Sequence, residues 1–150
     1  MALRYAGRRL CAARAPMQVM GFDHVVMCCR SVEKTVEWYQ RALGVQAEHF
    51  LGADGLRRTA LPLGTCKINL MPYDQQWEPK ARIPATGDLD FCLHIATPVE
   101  EAVKHLGEAG IEVELAPSFR TGACGPIYSI YLRDPDGNLV ELSNYGRPKV

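Results

Sequence analysis

The 150-residue chain lacks the features that mark several classes of protein. It has no run of about 20 apolar residues, so the sequence offers no candidate for a transmembrane helix. Basic and acidic residues balance at 17 each, so no net charge draws the chain to nucleic acid or to a membrane surface. The motifs G-x-S-x-G and H-E-x-x-H and the spacing of zinc fingers are also missing, which removes the signatures of serine hydrolases, zinc proteases and zinc fingers.

The first 22 residues contain four arginines and no acidic residue. An arginine-rich, acid-free leader is typical of a mitochondrial transit peptide, although this one has no serine. Two other interpretations stay open: residues 1–20 form a disordered tail, or they precede a true start at Met17 or Met20. We therefore expect a cytoplasmic protein, or a mitochondrial one if the leader directs import.

Cysteine is present, but not in the pattern of a disulfide framework or a metal site. No two cysteines form a C-x-x-C pair, and no secretory signal precedes them, so reduced intracellular thiols are expected. Cys28 and Cys29 are adjacent and would face opposite sides of a strand. The six positions are Cys11, Cys28, Cys29, Cys66, Cys92 and Cys124.

The first half of the chain predicts one strand, one helix and three further strands. Residues 21–29 are apolar and typical of a strand. Ser31 then supplies a helix N-cap, and apolar residues recur at helical spacing as far as Leu43, with Gly44 just past the end. Three strand-like runs follow, at residues 45–51, 56–63 and 66–71.

The second half repeats this order. Residues 89–96 predict a strand, and Thr97 and Glu100 form a capping box with Pro98 at the first helical position. Gly110 ends the helix. The three strand-like runs that follow are residues 111–115, 128–133 and 138–143, while the glycine-rich residues 120–126 are predicted to be a mobile rim or lid.

The order β-α-β-β-β therefore occurs twice, at about residues 21–72 and 89–145, with a polar linker at 73–88 and a tail at 146–150. Each module buries its helix on one sheet face, so the other face must meet a partner or enclose something. The predicted fold class is α+β: a single domain, residues 21–145, in which two β-α-β-β-β modules form a cupped mixed β-sheet.

The doubled pattern resembles the vicinal oxygen chelate superfamily, which includes glyoxalase I, bleomycin-resistance proteins and extradiol dioxygenases. Asp23 and His24 open the first strand as in that superfamily, and residues 133–141 close the last. Segments at 67–70, 77–81, 120–123 and 129–138 resemble a narrower group of glyoxalase domain-containing proteins and their bacterial relatives. The resemblance covers about residues 21–145 and implies a homodimer.

The resemblance also implies a divalent metal held by four inward positions, which the repeat places at His24, Met71, Phe91 and Glu141. His24 and Glu141 are competent ligands for Zn, Ni, Mn or Fe. Met71 offers only a soft thioether, and Phe91 cannot coordinate. Strand alternation from Phe91 turns its neighbours Asp90, Cys92 and His94 to the other face. His24 and Glu141 are the predicted metal ligands, and a direct pairing of the two without metal is the alternative.

Two functions follow from the resemblance. In the first, a metal-dependent lyase or isomerase binds the oxygens of a small carbonyl or diol substrate, and Glu141 acts as the catalytic base. In the second, a metal-free protein of bleomycin-resistance type binds a small molecule in a cup formed by Met71, Phe91, Asn69 and Tyr131. An interaction protein that kept only the fold is a third possibility. Neither nucleic acid nor a membrane is expected as a partner.

Overall fold

The computed structural model describes residues 17–146. The predicted leader lies outside this range apart from residues 17–20, which are exposed. None of the helices within it is long and apolar enough to cross a membrane. The elements, in chain order, are β1 (His24–Cys29), α1 (Val32–Leu43), β2 (Glu48–Leu51), β3 (Arg57–Leu63), β4 (Cys66–Pro72), β5 (Asp90–His94), α2 (Val99–Glu108), β6 (Leu115–Gly122), β7 (Gly125–Arg133) and β8 (Leu139–Tyr145).

The strands form two sheets of the same design. The first has the order β1-β4-β3-β2 and the second β5-β8-β7-β6. In each sheet the first strand of the module runs parallel to its last strand, and the remaining pairs are antiparallel. The duplicated β-α-β-β-β order and the α+β fold class predicted from the sequence are thus confirmed.

Helix α1 begins and ends where the sequence predicts. The Ser31 side chain accepts a hydrogen bond from the backbone N–H of Lys34, which satisfies one of the free donors of the first turn. Gly44 has a φ of 69°, the left-handed conformation that ends a helix and that glycine adopts without strain. The predicted cap of α2 is wrong, because Pro98 and not Thr97 occupies the N-cap position.

The N-terminus of α2 is capped by a side chain from β8. Pro98 has no side-chain donor or acceptor, and the Oδ1 atom of Asn144 accepts the N–H of Val99 at 2.8 Å. The Asn144 amide also donates to the carbonyls of Ile95 and Thr97, at 2.5 and 3.0 Å. One asparagine therefore fixes both the helix start and the turn before it.

The strand predicted at residues 111–115 is also wrong. Ile111 is buried and its N–H bonds to the carbonyl of Leu106 at 2.8 Å, so this segment folds back on the end of α2. The strand that follows α2 is β6, which begins at Leu115. Pro117 is accommodated within β6 because the β6–β7 register shifts between Leu115 and Ser118. The predicted lid at 120–126 is accordingly the hairpin that joins β6 to β7.

The two modules share a single hydrophobic core. Each helix packs on one face of its own sheet, and the covered faces contribute to one cluster of buried side chains. The other face of each sheet is called the open face here. Because paired strands keep neighbouring side chains on the same side, the registers define the two open faces. The first carries His24, Val26, Cys28, Lys67, Asn69 and Met71, and the second carries Cys92, Ser129, Tyr131, Glu141 and Ser143.

A loop of buried polar residues, Asp134, Asp136 and Asn138, locks the modules together and is called the clasp. The Asp136 carboxylate accepts the N–H of Arg30 at 3.1 and 3.2 Å. Asp134 accepts the hydroxyl of Tyr39 at 3.3 Å. Arg133, the residue before it, binds Glu114 through two nitrogens, at 2.6 and 3.1 Å.

Candidate functional site

The residues predicted to line the site lie on both open faces, with one exception. His24, Asn69 and Met71 lie on the first, and Tyr131 and Glu141 on the second.

Phe91 is the exception, because it packs against the hydrophobic core. The register pairs Phe91 with Val140, and it pairs Cys92 with Glu141. The expectation that Phe91 shares a face with Glu141, and that Cys92 and its alternate neighbours Asp90 and His94 turn away, is therefore wrong. The first strands of the modules match at an offset of 67 residues and the last strands at 70. The two offsets differ by three residues, and because side chains alternate along a strand, an odd difference moves Phe91 to the face opposite that of Glu141.

His24 and Glu141, the two predicted metal ligands, are not brought together within one chain. The His24 side chain is 45% exposed and its Nδ1 atom lies 2.6 Å from Asp23 Oδ1. No hydrogen bond or ion pair joins it to Glu141, which belongs to the other sheet. Nowhere in residues 17–146 do three or more His, Cys, Asp or Glu side chains form a group that could hold a metal ion. Within this described range, the side chains of a single copy therefore do not fit a metal centre.

The linker between the modules, residues 73–88, covers part of the first open face and is called the strap. Thr86 pairs with Cys28 at the edge of β1. The Arg58 guanidinium lies 4.2 Å from the ring centre of Trp77, and its Nη2 atom bonds Asp54 at 2.6 Å. A cation held this way over an aromatic ring fixes the ring's position. From the sequence, Trp77 belonged only to a segment that resembles glyoxalase domain-containing proteins, and Arg58 had no predicted role.

A cavity of about 370 Å³ lies between the strap and the first open face and is called the strap cavity. Its walls are mainly apolar, with Lys80 and Asp88 as the charged residues. Burial, reinforced by the nearby Asp88 carboxylate, raises the pKa of the Cys28 thiol, so this wall is neutral at physiological pH. The lining residues are Val26, Cys28, Met71, Trp77, Pro79, Lys80, Ala81, Pro84, Ala85, Asp88 and Leu89.

Two polar atoms on the same sheet have no hydrogen-bond partner. Asn69 is 7% exposed, and its buried Oδ1 atom is unpaired. Asn69 pairs in register with Val26, which lines the strap cavity. The Nε atom of Arg58 is likewise buried without a partner. Since nearly all buried polar groups in proteins are hydrogen-bonded, these atoms mark unused binding capacity beside the cavity.

The second open face carries a different chemistry. Glu141 is flanked across the strands by Tyr131 and Cys92, and its buried Oε1 atom has no partner. The Cys92 Sγ atom lies 3.1 Å from Ser143 Oγ. Burial raises the pKa of Cys92, and the Glu141 charge raises it further, while the bond to Ser143 opposes both. The thiol therefore stays protonated near neutral pH and is a poor nucleophile.

A larger cavity, of about 680 Å³, lies between the modules near the end of α1. Two of its polar side chains are already hydrogen-bonded to backbone carbonyls. The Cys66 thiol donates to the carbonyl of Leu63 at 3.3 Å, and His105 bonds the carbonyl of Arg41 at 3.0 Å. The strap cavity, with unpaired polar atoms beside it, is thus the better candidate for a ligand.

Residues 21–142 match the model of a protein family, the Glyoxalase/Bleomycin resistance protein/Dioxygenase superfamily. The chain belongs to this superfamily. It is 46% identical over 129 residues to the glyoxalase domain-containing protein RDO1 of Mycosarcoma maydis, covering 86% of this chain and 70% of the relative. It is 42% identical over 123 residues to the virulence protein STM3117 of Salmonella typhimurium, covering 82% and 83%.

Solved structures of the superfamily share the fold. The crystal structure of STM3117 superposes with a TM-score of 0.79 at 38% identity, covering 87% of this chain and all of that one, 100%. An integron cassette protein of V. cholerae gives a TM-score of 0.81 at 40% identity, covering 87% and 98%. The paired modules are therefore the glyoxalase fold, and the strap and its cavity lie within the length that these relatives share.

Proposed function

We propose that this glyoxalase-superfamily chain binds a small, mainly apolar organic molecule in the strap cavity. The observation that carries the proposal is the cavity itself, whose volume of about 370 Å³ falls in the range typical of small-molecule sites, about 300–1,000 Å³. Of the four residues predicted from sequence to form an apolar cup, Met71 is 2% exposed and lines the strap cavity, whereas Phe91, Asn69 and Tyr131 do not line it. This is the metal-free binding function that the bleomycin-resistance branch suggested.

The cavity wall favours a flat or aromatic ligand. The indole of Trp77 forms one side, and Arg58 holds that ring in place through a cation–π contact, anchored in turn by Asp54. A wall fixed before binding loses little conformational entropy when a ligand arrives, which favours affinity. The protonated thiol of Cys28 adds a weakly polar surface and no charge.

The charged groups of the cavity favour an anionic substituent at its edge. The ammonium group of Lys80, whose side chain is 28% exposed, forms an ion pair with Glu78 on the strap. A ligand sulfonate or carboxylate can share that ammonium, and charge-assisted bonds are the stronger ones. Asp88, on the same lining, disfavours a second negative charge.

Calorimetric titration with naphthalene sulfonate tests this proposal. We expect one molecule bound per chain, at least tenfold weaker binding by Trp77→Ala, and weaker binding of neutral naphthol than of the sulfonate. Tyr73→Ala is the matched control, because Tyr73 is an exposed aromatic residue of the same strap outside the cavity lining. Equal affinity of Trp77→Ala and wild type would place the ligand elsewhere and end the proposal.

A second candidate function is metal-dependent lyase or isomerase chemistry in a homodimer. It is favoured by the unpaired, buried Oε1 atom of Glu141, since a buried carboxylate oxygen without a partner attracts a cation. Because one chain does not bring His24 to Glu141, we propose that a second copy supplies the other ligand. The resemblance of several segments to glyoxalase domain-containing protein 5 and the superfamily's name also support this candidate.

Metal content separates the two candidates. Protein purified without chelators is analysed for Zn, Ni, Mn and Fe, and its mass in solution is measured by light scattering. A bound metal predicts near-stoichiometric content in a dimer, lost in His24→Ala and in Glu141→Gln but kept in the control His49→Ala, which changes an exposed histidine. Less than about a tenth of an ion per chain, with no thermal shift on adding these metals, would exclude the second candidate.

A further inference from the structure

A row of polar side chains crosses the second open face from one edge of the sheet to the other. In the register, Tyr131 of β7 pairs with Glu141 of β8, which pairs with Cys92 of β5. On the next rung of the same face, Ser118 pairs with Ser129, which pairs with Ser143. The row therefore draws on four strands and is called the polar row.

One end of the polar row is positively charged. The Nε atom of Arg120, on β6, donates to the hydroxyl of Tyr131 at 3.1 Å, and its Nη1 atom donates to the carbonyl of Phe119 at 3.0 Å. These two bonds fix the exposed guanidinium above the face and leave its Nη2 atom for a ligand. A guanidinium presents paired donors that suit a carboxylate.

The negatively charged group of the polar row, Glu141, lies on the inner strand β8 and is incompletely hydrogen-bonded. The Oε1 atom of Glu141 is buried and has no hydrogen-bond partner. Tyr131 is the cross-strand neighbour of Glu141 and accepts the Nε–H of Arg120, so this tyrosine lies next to both charged groups.

Unpaired hydroxyl groups lie on the adjacent rung. Ser129 is 0% exposed, and its Oγ atom has no hydrogen-bond partner. The Oγ atom of Ser118, its cross-strand neighbour, is also buried and unpaired. Three orphan polar atoms on one face are a concentration that calls for a bound polar group, because each costs free energy while it stays unpaired.

We propose that the polar row binds a small zwitterionic amino-carboxylate, with its carboxylate on Arg120 and its ammonium group on Glu141. A simple anion would leave the Glu141 oxygen unpaired, and a simple amine would leave the guanidinium unused. An amino-carboxylate satisfies both charged groups at once, and the hydroxyls of Ser118 and Ser129 complete its hydrogen bonds. The site lies on the opposite sheet from the strap cavity and does not depend on the function proposed there.

Titration followed by amide chemical shifts tests this site on the full chain. Glycine, β-alanine and 4-aminobutyrate are each added, with propionate and propylamine as single-charge controls. We expect at least one amino-carboxylate to shift the amide signals of Arg120, Ser129 and Glu141 saturably, at least tenfold more tightly than either control. The indole signal of Trp77 stays in place, which separates this result from binding in the strap cavity.

Two variants test the two charged groups of the proposed site. Arg120→Gln and Glu141→Gln each weaken binding at least tenfold, whereas Arg41→Gln, the same change on an exposed residue of α1, leaves it unchanged. Arg120 is exposed, so its variant folds normally and keeps the test decisive. The proposal is overturned if no amino-carboxylate shifts these signals, if Arg120→Gln binds as wild type does, or if chelator treatment abolishes binding. It is also overturned if the same signals move with protein concentration alone, since the face would then be a contact between copies.

Discussion

Removing the carboxylate of Asp134 is expected to be among the most destabilising single changes in this chain. The side chain is 5% exposed and accepts four hydrogen bonds. Its Oδ1 atom takes the N–H groups of Asp136 and Asn138, each at 2.9 Å, and its Oδ2 atom takes the Tyr39 hydroxyl at 3.3 Å and the Asn138 amide at 2.7 Å. Asp134→Ala leaves all four donors without their acceptor.

The magnitude follows from the burial of these donors. A hydrogen bond to a charged group contributes about 1.5–3 kcal/mol, and a donor left unpaired in the interior costs about 1–3 kcal/mol. These values are not additive within one network, so we expect a total loss of about 4 kcal/mol. Tyr39→Phe removes one donor only and should cost about 1 kcal/mol.

Urea unfolding measures both variants. With an m-value of about 2 kcal/mol/M, a loss of about 4 kcal/mol lowers the midpoint by about 2 M at unchanged m. Asp74→Ala, which removes an exposed aspartate of the strap, is the control and should stay within about 0.5 kcal/mol. A loss below about 1 kcal/mol in Asp134→Ala would refute the reasoning, because the carboxylate would then not be the acceptor on which the clasp depends.

Three further predictions concern stability. Gly87→Ala should lower the free energy of unfolding by about 2–3 kcal/mol, because φ is +74° and a Cβ atom would lie 2.5 Å from the Asp136 carbonyl oxygen. Gly107→Ala, in α2 with open space around it, should raise the free energy of unfolding by about 0.5 kcal/mol. Equal effects of the two changes in urea unfolding would contradict this. Asn144→Ala should lose about 1–2 kcal/mol with the α2 cap, lowering Tm by several degrees, and an unchanged Tm would show that water replaces the cap. Burial is the main cause that raises the pKa of Cys29 from 9.0 to about 12, so the stability that its protonated thiol contributes is complete below pH 9 and is lost as pH rises towards 12. Cys29→Ala should therefore flatten the fall in stability at alkaline pH. An equally steep fall in the variant would assign that fall to other groups.

Local sequence signals predicted the parts of the fold that local physics decides. Ser31 and Gly44 delimit α1 because capping needs only the residues at each helix end. The duplicated order of elements was visible for the same reason, since hydrophobic period and turn residues repeat in each half. The resemblance and the repeat assigned inward positions to His24, Met71 and Glu141, and all three lie on the open faces of their sheets.

The features that depend on distant pairing were not predictable in this way. Phe91 was assigned to the wrong face because the β5–β8 register, and not the offset between modules, decides which way a strand turns. The cap of α2 comes from Asn144, 45 residues along the chain from Val99. The strap cavity depends on Arg58 meeting Trp77, a contact between a strand and a linker that no spacing rule describes.

The clasp has a consequence for the order in which the chain becomes stable during synthesis. It joins Arg30 to Asp136, 106 positions later, and Tyr39 to Asp134, 95 positions later. The amino-terminal half leaves the ribosome first, so the Tyr39 hydroxyl and the Arg30 N–H have no hydrogen-bond acceptor until Asp134 and Asp136 are translated near the end of the chain. A nascent chain halted before residue 134 holds an incomplete core, and the earlier half becomes native only when the later half arrives.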